Sequence, residues 1–339
     1  MVNIEFKKAL ITGAGGFVGG ELTKFLMEKG IEVNAMHRPG SNINKDLASN
    51  PLVHPVPANL VDLESLIQAS KGCDVIFHLA AYAQPWAKDL SIYFDVNVGG
   101  TINVLEAAKI NNIKRVVVTS TAGAFGPQVD DSLITEEINR VLPPFTEYER
   151  TKQIANEKVK EYVSEGMDIV TVSPTRVFGP GHMSATNAIT TLLKTYMYKG
   201  LRFIPGDGKT SGNYAYIEDM VNGHYLAAIK GKTGENYILG GENLTYLELM
   251  SAFGDATGIH RKPIGLPLFI MLGSSKIMKF LGDTFGITPL ITPPFVRKYV
   301  HTWATDISKA KRELGYTVTP FKEAIEATVE WIKKEKGEF

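Results

Sequence analysis

The feature that most constrains the fold is a glycine-rich turn between a short apolar run and a helical pattern. Residues 10–20 read Leu-Ile-Thr-Gly-Ala-Gly-Gly-Phe-Val-Gly-Gly. Gly13 permits a tight turn after a strand, Gly16 lets backbone N–H groups approach a diphosphate, and Gly19 allows close helix packing. Because a strand and a helix are both predicted around it, the turn is interpreted as a dinucleotide site rather than an ordinary corner. The diphosphate is expected at the helix start, at Phe17 and Val18.

Short apolar runs alternate with helical patterns through the first half of the chain. Strands are predicted at residues 9–12, 32–37, 53–57, 75–79, 115–120 and 168–173. Helices are predicted between them at residues 19–29, 63–69, 98–110 and 148–163. This order is typical of parallel strands joined by right-handed crossovers. It predicts an α/β fold with a doubly wound, Rossmann-type parallel sheet.

The alternation ends after residue 176, where Gly, Pro and Ser cluster between helical patterns such as 188–199 and 244–257. Residues 214–217 and 237–240 are predicted to return to the sheet. The predicted division is therefore a dinucleotide-binding domain, residues 1–176 plus 213–241, and a smaller, mostly helical substrate-binding lobe, residues 177–212 plus 242–339.

Charge and cysteine content exclude several classes of protein. The 36 acidic and 36 basic residues balance, so nothing indicates a nucleic-acid partner. Cys73 is the only cysteine, which excludes an internal disulfide, argues against a thiolate metal site and fits a cytoplasmic location. With no signal-peptide layout and no uncharged apolar run of about 18 residues, no integral membrane segment is expected. Seven scattered histidines show no ligand spacing, and no metal is expected.

An apolar group in the second half has three interpretations. It consists of Met271, Met278, Phe280, Leu281 and Phe285. It fits helix core and a lid over an apolar substrate equally well, and a membrane-surface patch less well.

The end of the second predicted strand bears on the choice of dinucleotide. A carboxylate there would bind the ribose diol of NAD, whereas an arginine accommodates the extra phosphate of NADP. The sequence reads Met36-His37-Arg38-Pro39, with no acid. NADP is therefore predicted, although a solvated loop charge is the alternative for Arg38.

Three polar segments follow the glycine turn, and their order along the chain indicates a function. Thr119-Ser120-Thr121 ends a strand, Tyr148 and Lys152 share one helix face, and Ser173-Pro174-Thr175 ends the next strand. A lysine ammonium beside a tyrosine, together with a cationic oxidised nicotinamide, is expected to lower the pKa of the phenol toward the working range of an acid–base catalyst. The order predicts hydride transfer with a nicotinamide cofactor, and an incidental pair on a solvated helix is the alternative.

Taken together, these segments resemble the extended short-chain dehydrogenase/reductases, also called the epimerase/dehydratase family. The motifs that carry the resemblance are Thr12-Gly13-x-x-Gly16-x-x-Gly19, Asp74-Val75-Ile76-Phe77-His78-Leu79-Ala80-Ala81, Asn97-Val98-x-Gly100-Thr101, Tyr148-x-x-x-Lys152 and Pro174-Thr175-Arg176-Val177-Phe178-Gly179-Pro180.

The resemblance implies roles for particular residues. Thr121, Tyr148, Lys152 and Asn97 are the implied catalytic residues; Thr121 takes the place of the usual serine, with Ser120 able to share it, and Asn97 is tied to a proton relay. Asn59 stands where the family commonly has an aspartate near the adenine. The cofactor contacts expected from the turn and the resemblance are Gly13, Gly16, Phe17, Val18, Gly19, Arg38, Asn59, Leu60, Leu79, Ala80, Ala81, Thr119, Tyr148, Lys152, Pro174, Thr175 and Val177.

Departures from the family pattern reduce the number of reactions that the chain is expected to catalyse. Dehydratases follow their threonine with Asp-Glu, whereas Ala122-Gly123 follow here. Many nucleotide-sugar epimerases carry a diphosphate-binding arginine shortly before the segment that starts at Tyr216, and it is missing, although Arg176 or Arg202 could replace it. The chain looks more like the dihydroflavonol-reductase and hydroxysteroid-dehydrogenase branch.

The predicted function is an NADP-dependent oxidoreductase that interconverts a carbonyl and a secondary alcohol on a small, partly apolar substrate. The alternatives are a nucleotide-sugar epimerase with tightly bound NAD and a cofactor-sensing scaffold without catalysis. A homodimer is expected, as in families like this one, through helices 98–110 and 148–163. Six residues near helical spacing support it, although each could instead pack on its own sheet: Ile102, Leu105, Lys109, Ala155, Val159 and Tyr162.

Overall fold

A seven-stranded parallel sheet forms the centre of the structure, a computed structural model that describes residues 4–184 and 186–337. The strands along the chain are β1 Lys8–Thr12, β2 Glu32–His37, β3 Val53–Pro57, β4 Val75–His78, β5 Arg115–Thr119, β6 Ile169–Pro174, β7 Arg176–Phe178, β8 Phe203–Pro205, β9 Ser211–Tyr216, β10 Asn236–Leu239, β11 Glu242–Thr245 and β12 Ile264–Leu266. The central sheet has the order β10-β6-β5-β4-β1-β2-β3. The predicted doubly wound α/β sheet is confirmed.

Helices cover both faces of this sheet. They are α1 Phe17–Glu28, α2 Lys45–Ala48, α3 Leu63–Ser70, α4 Ser91–Phe94, α5 Gly100–Ile110, α6 Glu147–Ser164, α7 Ala188–Lys199, α8 Ile217–Lys230, α9 Tyr246–Thr257, α10 Leu268–Phe285, α11 Pro293–Tyr299, α12 Ser308–Leu314 and α13 Phe321–Glu335. Successive residues of a strand point to opposite faces. Accordingly, Ile11 packs with Leu22 of α1, and Leu10 packs with Leu66 of α3 and Leu105 of α5 in a second core.

One predicted strand lies in a different sheet. Residues 237–240 were expected in the central sheet, and β10 does pair with β6 there. Residues 214–217 were expected there too, and this prediction is wrong. Strand β9 pairs with β7 and β11 in a separate three-stranded sheet. The physical reason is that β10 occupies the edge beside β6, so β9 pairs with β7, the direct continuation of β6.

Helix α10 carries all five residues of the apolar group that had three interpretations. Met271 is buried, but Phe280 is 62% exposed and Phe285 is 65% exposed. Helix core is therefore wrong for these two phenylalanines, and their exposure leaves the lid and surface interpretations. No helix in the described ranges is long and apolar enough to cross a membrane.

The residues named for a dimer have different environments. Leu105, Ala155 and Val159 are buried within their own chain, because α5 and α6 pack on the central sheet. Lys109 is exposed and forms an ion pair with Glu165. The homodimer and the division into two domains stay predictions.

Candidate active site

The turn between β1 and α1 brings glycine backbones into close contact. Gly13 has a φ of +78°, and a Cβ there would lie 3.0 Å from the Ala80 nitrogen. At Gly19 a Cβ would lie 2.1 Å from the Gly13 carbonyl oxygen, so any side chain would force the turn apart. Gly16 is the N-cap of α1, with no side-chain cap and no acidic residue in the first turn. The helix therefore begins with uncapped N–H groups, which fits a diphosphate.

The side chains of the first two residues of α1 are directed toward the core to different degrees. The Phe17 side chain is 1% exposed and packs into the core against the sheet. Val18 is partly buried against the same core. A diphosphate at this turn would meet their backbone N–H groups, since the Phe17 side chain is directed inward.

Thr12 ties the glycine turn to the end of β4. Its Oγ1 accepts hydrogen bonds from the backbone nitrogens of Leu79 and Ala80, each at 3.1 Å, and lies 3.0 Å from His78 Nδ1. The other imidazole nitrogen lies 3.0 Å from Thr101 Oγ1 on α5. His78 is fully buried, and burial lowers its pKa to about 3. This bridge holds residues 79–81 against the turn, and the sequence argument did not identify Thr12 as its centre.

The residues predicted to contact the adenosine half follow neighbouring strand ends. Arg38 directly follows β2 and is exposed, and its carbonyl accepts a hydrogen bond from Ser41 Oγ at 2.8 Å. Asn59 and Leu60 follow β3, where Leu60 is buried against Gly100 of α5. Because β1, β2 and β3 are adjacent and parallel, these three residues lie at the same sheet edge as the glycine turn.

The predicted acid–base residues meet at the end of β5. The Lys152 side chain is buried, and its Nζ donates a 2.7 Å hydrogen bond to the Thr119 carbonyl oxygen. Thr121 caps a single 3₁₀ turn, Ala122–Phe125, and its Oγ1 accepts a hydrogen bond from the Gly123 nitrogen at 3.1 Å. Tyr148 lies one turn before Lys152 on α6. No group in the described ranges accepts a hydrogen bond from the Thr121 hydroxyl.

The pKa shifts of this pair come mainly from burial. Lys152, together with a cationic oxidised nicotinamide, was expected to lower the pKa of Tyr148. Within the chain itself, burial raises the pKa of this phenol to about 12, and the neighbouring Glu149 carboxylate raises it further. Burial lowers the pKa of the Lys152 ammonium to about 8, and its Nζ is directed at the Thr119 carbonyl. The Tyr148 side chain is therefore a neutral phenol near pH 7.

The structure also defines the surroundings of two further candidate residues, Asn97 and Ser120. Asn97 lies in a π-helical turn, Asp95–Gly99, and its Nδ2 donates to the Tyr82 carbonyl at 3.1 Å and to Thr151 Oγ1 at 3.0 Å. Its Oδ1 accepts from the Tyr82 nitrogen at 2.7 Å, so its amide holds the loop after β4 against α6. Ser120 is buried, and its Oγ makes no hydrogen bond among the described residues.

The residues predicted beside the nicotinamide follow β6. Pro174 ends that strand, and Thr175 donates from its nitrogen to the Leu239 carbonyl at 3.1 Å and from its Oγ1 to Asn213 Oδ1 at 2.8 Å. Val177 is buried in β7. Since β5 and β6 are adjacent and parallel, the segment lies beside the Thr119–Thr121 turn.

Sequence reasoning missed a buried ion-pair network next to Tyr148. The Glu149 side chain is 0% exposed; its Oε2 lies 2.8 Å from Arg140 Nη2, and its Oε1 lies 2.8 Å from Lys298 Nζ. Lys298 belongs to α11, and its Nζ would lie 3.2 Å from a Cβ placed on Gly123. The network, defined as Arg140, Glu149 and Lys298, therefore joins the start of α6 to the Thr121 turn and to α11.

Comparisons with known proteins indicate the family and the fold of the chain. The model of the NAD dependent epimerase/dehydratase family matches residues 9–240. A protein from Synechocystis sp. described as a putative dihydroflavonol 4-reductase is 30% identical over 328 residues, covering 95% of this chain and 94% of its own. Sterol demethylase protein B from Methylococcus capsulatus is 29% identical and covers 96% of this chain and 98% of its own.

Solved structures share the fold over nearly the whole length. A crystal structure described as gox2253 superposes with a TM-score of 0.81 at 25% identity, covering 98% of this chain and 99% of its own. The UDP-glucose 4-epimerase of Thermus thermophilus, solved with NAD, has a TM-score of 0.76 at 22% identity, covering 96% and 99%. At that identity the second likeness concerns the fold alone.

Proposed function

The chain belongs to the NAD-dependent epimerase/dehydratase family of extended short-chain dehydrogenase/reductases, which are NAD(P)-dependent enzymes, and we propose that it is a carbonyl reductase. It would interconvert a carbonyl and a secondary alcohol on a small, partly apolar substrate. The observation that carries the proposal is the Lys152 contact with the Thr119 carbonyl, one helical turn after Tyr148 and beside Thr121. The dihydroflavonol-reductase-like relative supports it.

The residues at the end of β5 have complementary tasks in this proposal. A nicotinamide cofactor, held by the glycine turn and the residues predicted to contact it, would supply or accept the hydride. The Thr121 hydroxyl can donate a hydrogen bond to the substrate oxygen, because its contact with the Gly123 nitrogen uses a lone pair and leaves the hydroxyl proton free. Tyr148, protonated at neutral pH, donates a proton to the alkoxide that forms during reduction. Lys152 fixes the geometry of this end of α6 by its bond to Thr119.

The epimerase alternative makes a different demand on the cofactor. An epimerase keeps its NAD bound and shows no net turnover of it, whereas a reductase consumes NADPH. Absence of an arginine shortly before Tyr216 favours the reductase. The test is to identify the nucleotide that co-purifies with the protein and to screen carbonyl compounds for NADPH oxidation. A bound NAD without net oxidation of added NADPH would favour the epimerase.

NADP rather than NAD is proposed because of Arg38. Replacing Arg38 by glutamate should raise the KM for NADPH roughly ten- to hundred-fold, since a charge-assisted bond to the ribose phosphate is worth about 1.5–3 kcal/mol. The KM for NADH should change far less. Steady-state kinetics with both cofactors measure the difference.

The matched control is Lys71→Glu, the same change of charge at an exposed residue that precedes β4, at the opposite end of the strands. It should leave the preference between the two cofactors unchanged. An equal loss for NADPH and NADH in the Arg38 variant would show that Arg38 does not contact the phosphate.

A homodimer through α5 and α6 is also proposed. Ile110 at the end of α5 is 53% exposed, and Ile102 and Tyr162 are partly exposed, so an apolar contact between copies is available. Sedimentation at micromolar concentration should give twice the chain mass, and Ile110→Glu should shift the species toward monomer. A wild-type protein that is active as a pure monomer would refute the proposal.

A further inference from the structure

An arginine beside the proposed reaction centre is surrounded by tyrosines. Arg176 begins β7, two residues after the end of β6, and its Nη1 donates to Tyr214 Oη at 3.0 Å. Its Cζ lies 5.5 Å from the ring centres of Tyr214 and Tyr246 and 5.9 Å from that of Tyr299. Among the described residues, no Asp or Glu carboxylate forms an ion pair with this guanidinium. We call Arg176 and these three tyrosines the arginine cage.

Two polar atoms of the cage lack a hydrogen bond of good geometry among the described residues. They are Arg176 Nη2 and Tyr246 Oη, and both atoms are buried. The Tyr246 hydroxyl is close enough to Arg176 to interact with it, but the geometry of that contact is poor. Tyr246 as a whole is 8% exposed. Aromatic faces attract the cation, but they offer no lone pair to a guanidinium N–H. A buried charged donor without an acceptor is unfavourable, so the cage suits an acceptor from outside the chain.

The cage lies on the same side of the sheet as Thr121. Lys298 and Tyr299 are consecutive residues of α11; the first reaches the turn at Gly123, and the second stacks on Arg176. Ligands of open α/β sheets bind outside the carboxyl ends of the strands, where β5 and β6 end here. The absence of a side chain at Gly212 makes room for the guanidinium, because a Cβ there would lie 2.4 Å from Arg176 Nη1.

A planar guanidinium with free N–H groups binds oxyanions in a fixed geometry. Lys298, the neighbouring cation, is already paired with Glu149. We propose that Arg176 and the Tyr246 hydroxyl bind an anionic group of the substrate, a carboxylate or a phosphoryl group. The enzyme would then act on acidic carbonyl compounds in preference to their neutral analogues. This inference rests on the proposed function and names the class of its substrate.

The kinetic test compares substrates that differ only in charge. Levulinate is paired with methyl levulinate, and dihydroxyacetone phosphate with dihydroxyacetone, with NADPH oxidation as the readout. In the wild type, kcat/KM should favour the acidic member of a pair, and the pair that responds identifies carboxylate or phosphoryl recognition. Arg176→Met should lower the acid-to-neutral ratio at least about ten-fold, the effect of losing about 1.4 kcal/mol.

Two further variants separate recognition from folding. Tyr246→Phe keeps the aromatic ring and removes only the hydroxyl, so it should lower the same ratio about three-fold without loss of thermal stability. Arg312→Met makes the identical chemical change at an arginine whose side chain is 64% exposed, and it should leave the ratio unchanged. If Arg176→Met does not fold, the comparison of Tyr246→Phe with wild type decides.

A binding test does not depend on catalysis. With the cofactor site saturated by NADP⁺, inorganic phosphate or acetate should raise the melting temperature of the wild type and not that of Arg176→Met. Equal turnover of acidic and neutral substrates, or equal protection of both proteins, would overturn the anion site while leaving the reductase proposal intact. Anion protection that needs Arg176, without any NADPH oxidation, would overturn the reductase proposal and retain the site.

Discussion

Tyr148→Phe should lower kcat at least about 100-fold, because positioned general acids contribute about 10²–10⁴-fold and this variant loses only the proton-donating hydroxyl. The ring remains, so the packing of α6 and the Lys152 bond to Thr119 should persist. The Kd for NADPH should therefore stay within a few fold of the parent. Single-turnover NADPH oxidation and fluorescence titration of NADPH measure the two quantities.

Tyr162→Phe is the matched control on the same helix. The Tyr162 hydroxyl bonds to Glu106, well away from the end of β5, and its loss should leave kcat unchanged. Retention of activity within a few fold by the Tyr148 variant would remove Tyr148 from the proton-donor role.

Glu149→Gln should lower the free energy of unfolding by about 3 kcal/mol, at the lower end of the cost of breaking a buried ion pair. Both cations then lose their carboxylate, and Arg140 is only 7% exposed. Lys298 is 20% exposed and can recover some hydration, which keeps the expected loss at that lower end. Urea unfolding followed by circular dichroism gives the value.

Glu157→Gln on the same helix provides the comparison. Its ion pair with Lys160 is exposed, at 68% and 69%, and exposed pairs contribute at most about 1 kcal/mol. Similar small losses in both variants would mean that the buried network adds little to stability. Removing Glu149 should also lower the pKa of Tyr148, because its carboxylate is one cause of the raised value.

Local patterns were enough to predict the central sheet. Strands β2 and β3 have the bounds that the apolar runs indicate, because each run is short and ends at polar or turn-forming residues. The glycine turn could also be predicted from the sequence. Close backbone contacts at Gly13 and Gly19 leave no room for a side chain, so glycine is required at both positions. Such features depend on neighbours in sequence.

Features that depend on contacts between residues far apart in the chain could not be predicted from a single sequence. The sheet membership of β9 depends on which strand takes the free edge of β6. The ion-pair network joins Glu149 to Lys298, and nothing near either residue signals the other. The spacing of Tyr148 and Lys152 places both on one face, but it does not reveal that the Lys152 ammonium bonds to the Thr119 carbonyl. The effect of burial on the pKa of Tyr148 likewise does not follow from the spacing.

The bridge from Thr12 through His78 to Thr101 has a consequence for the response of the protein to acid. An imidazole in the unfolded chain binds a proton below pH 6.5, whereas burial keeps His78 neutral until the pH approaches 3. Between these values the unfolded state binds the extra proton. The free energy of unfolding therefore falls by about 1.4 kcal/mol for each unit by which the pH decreases, from this group alone. Near neutral pH the imidazole is neutral in both states. The burial of His78 that accompanies its bridge at neutral pH thus lowers the stability of the whole fold in mild acid.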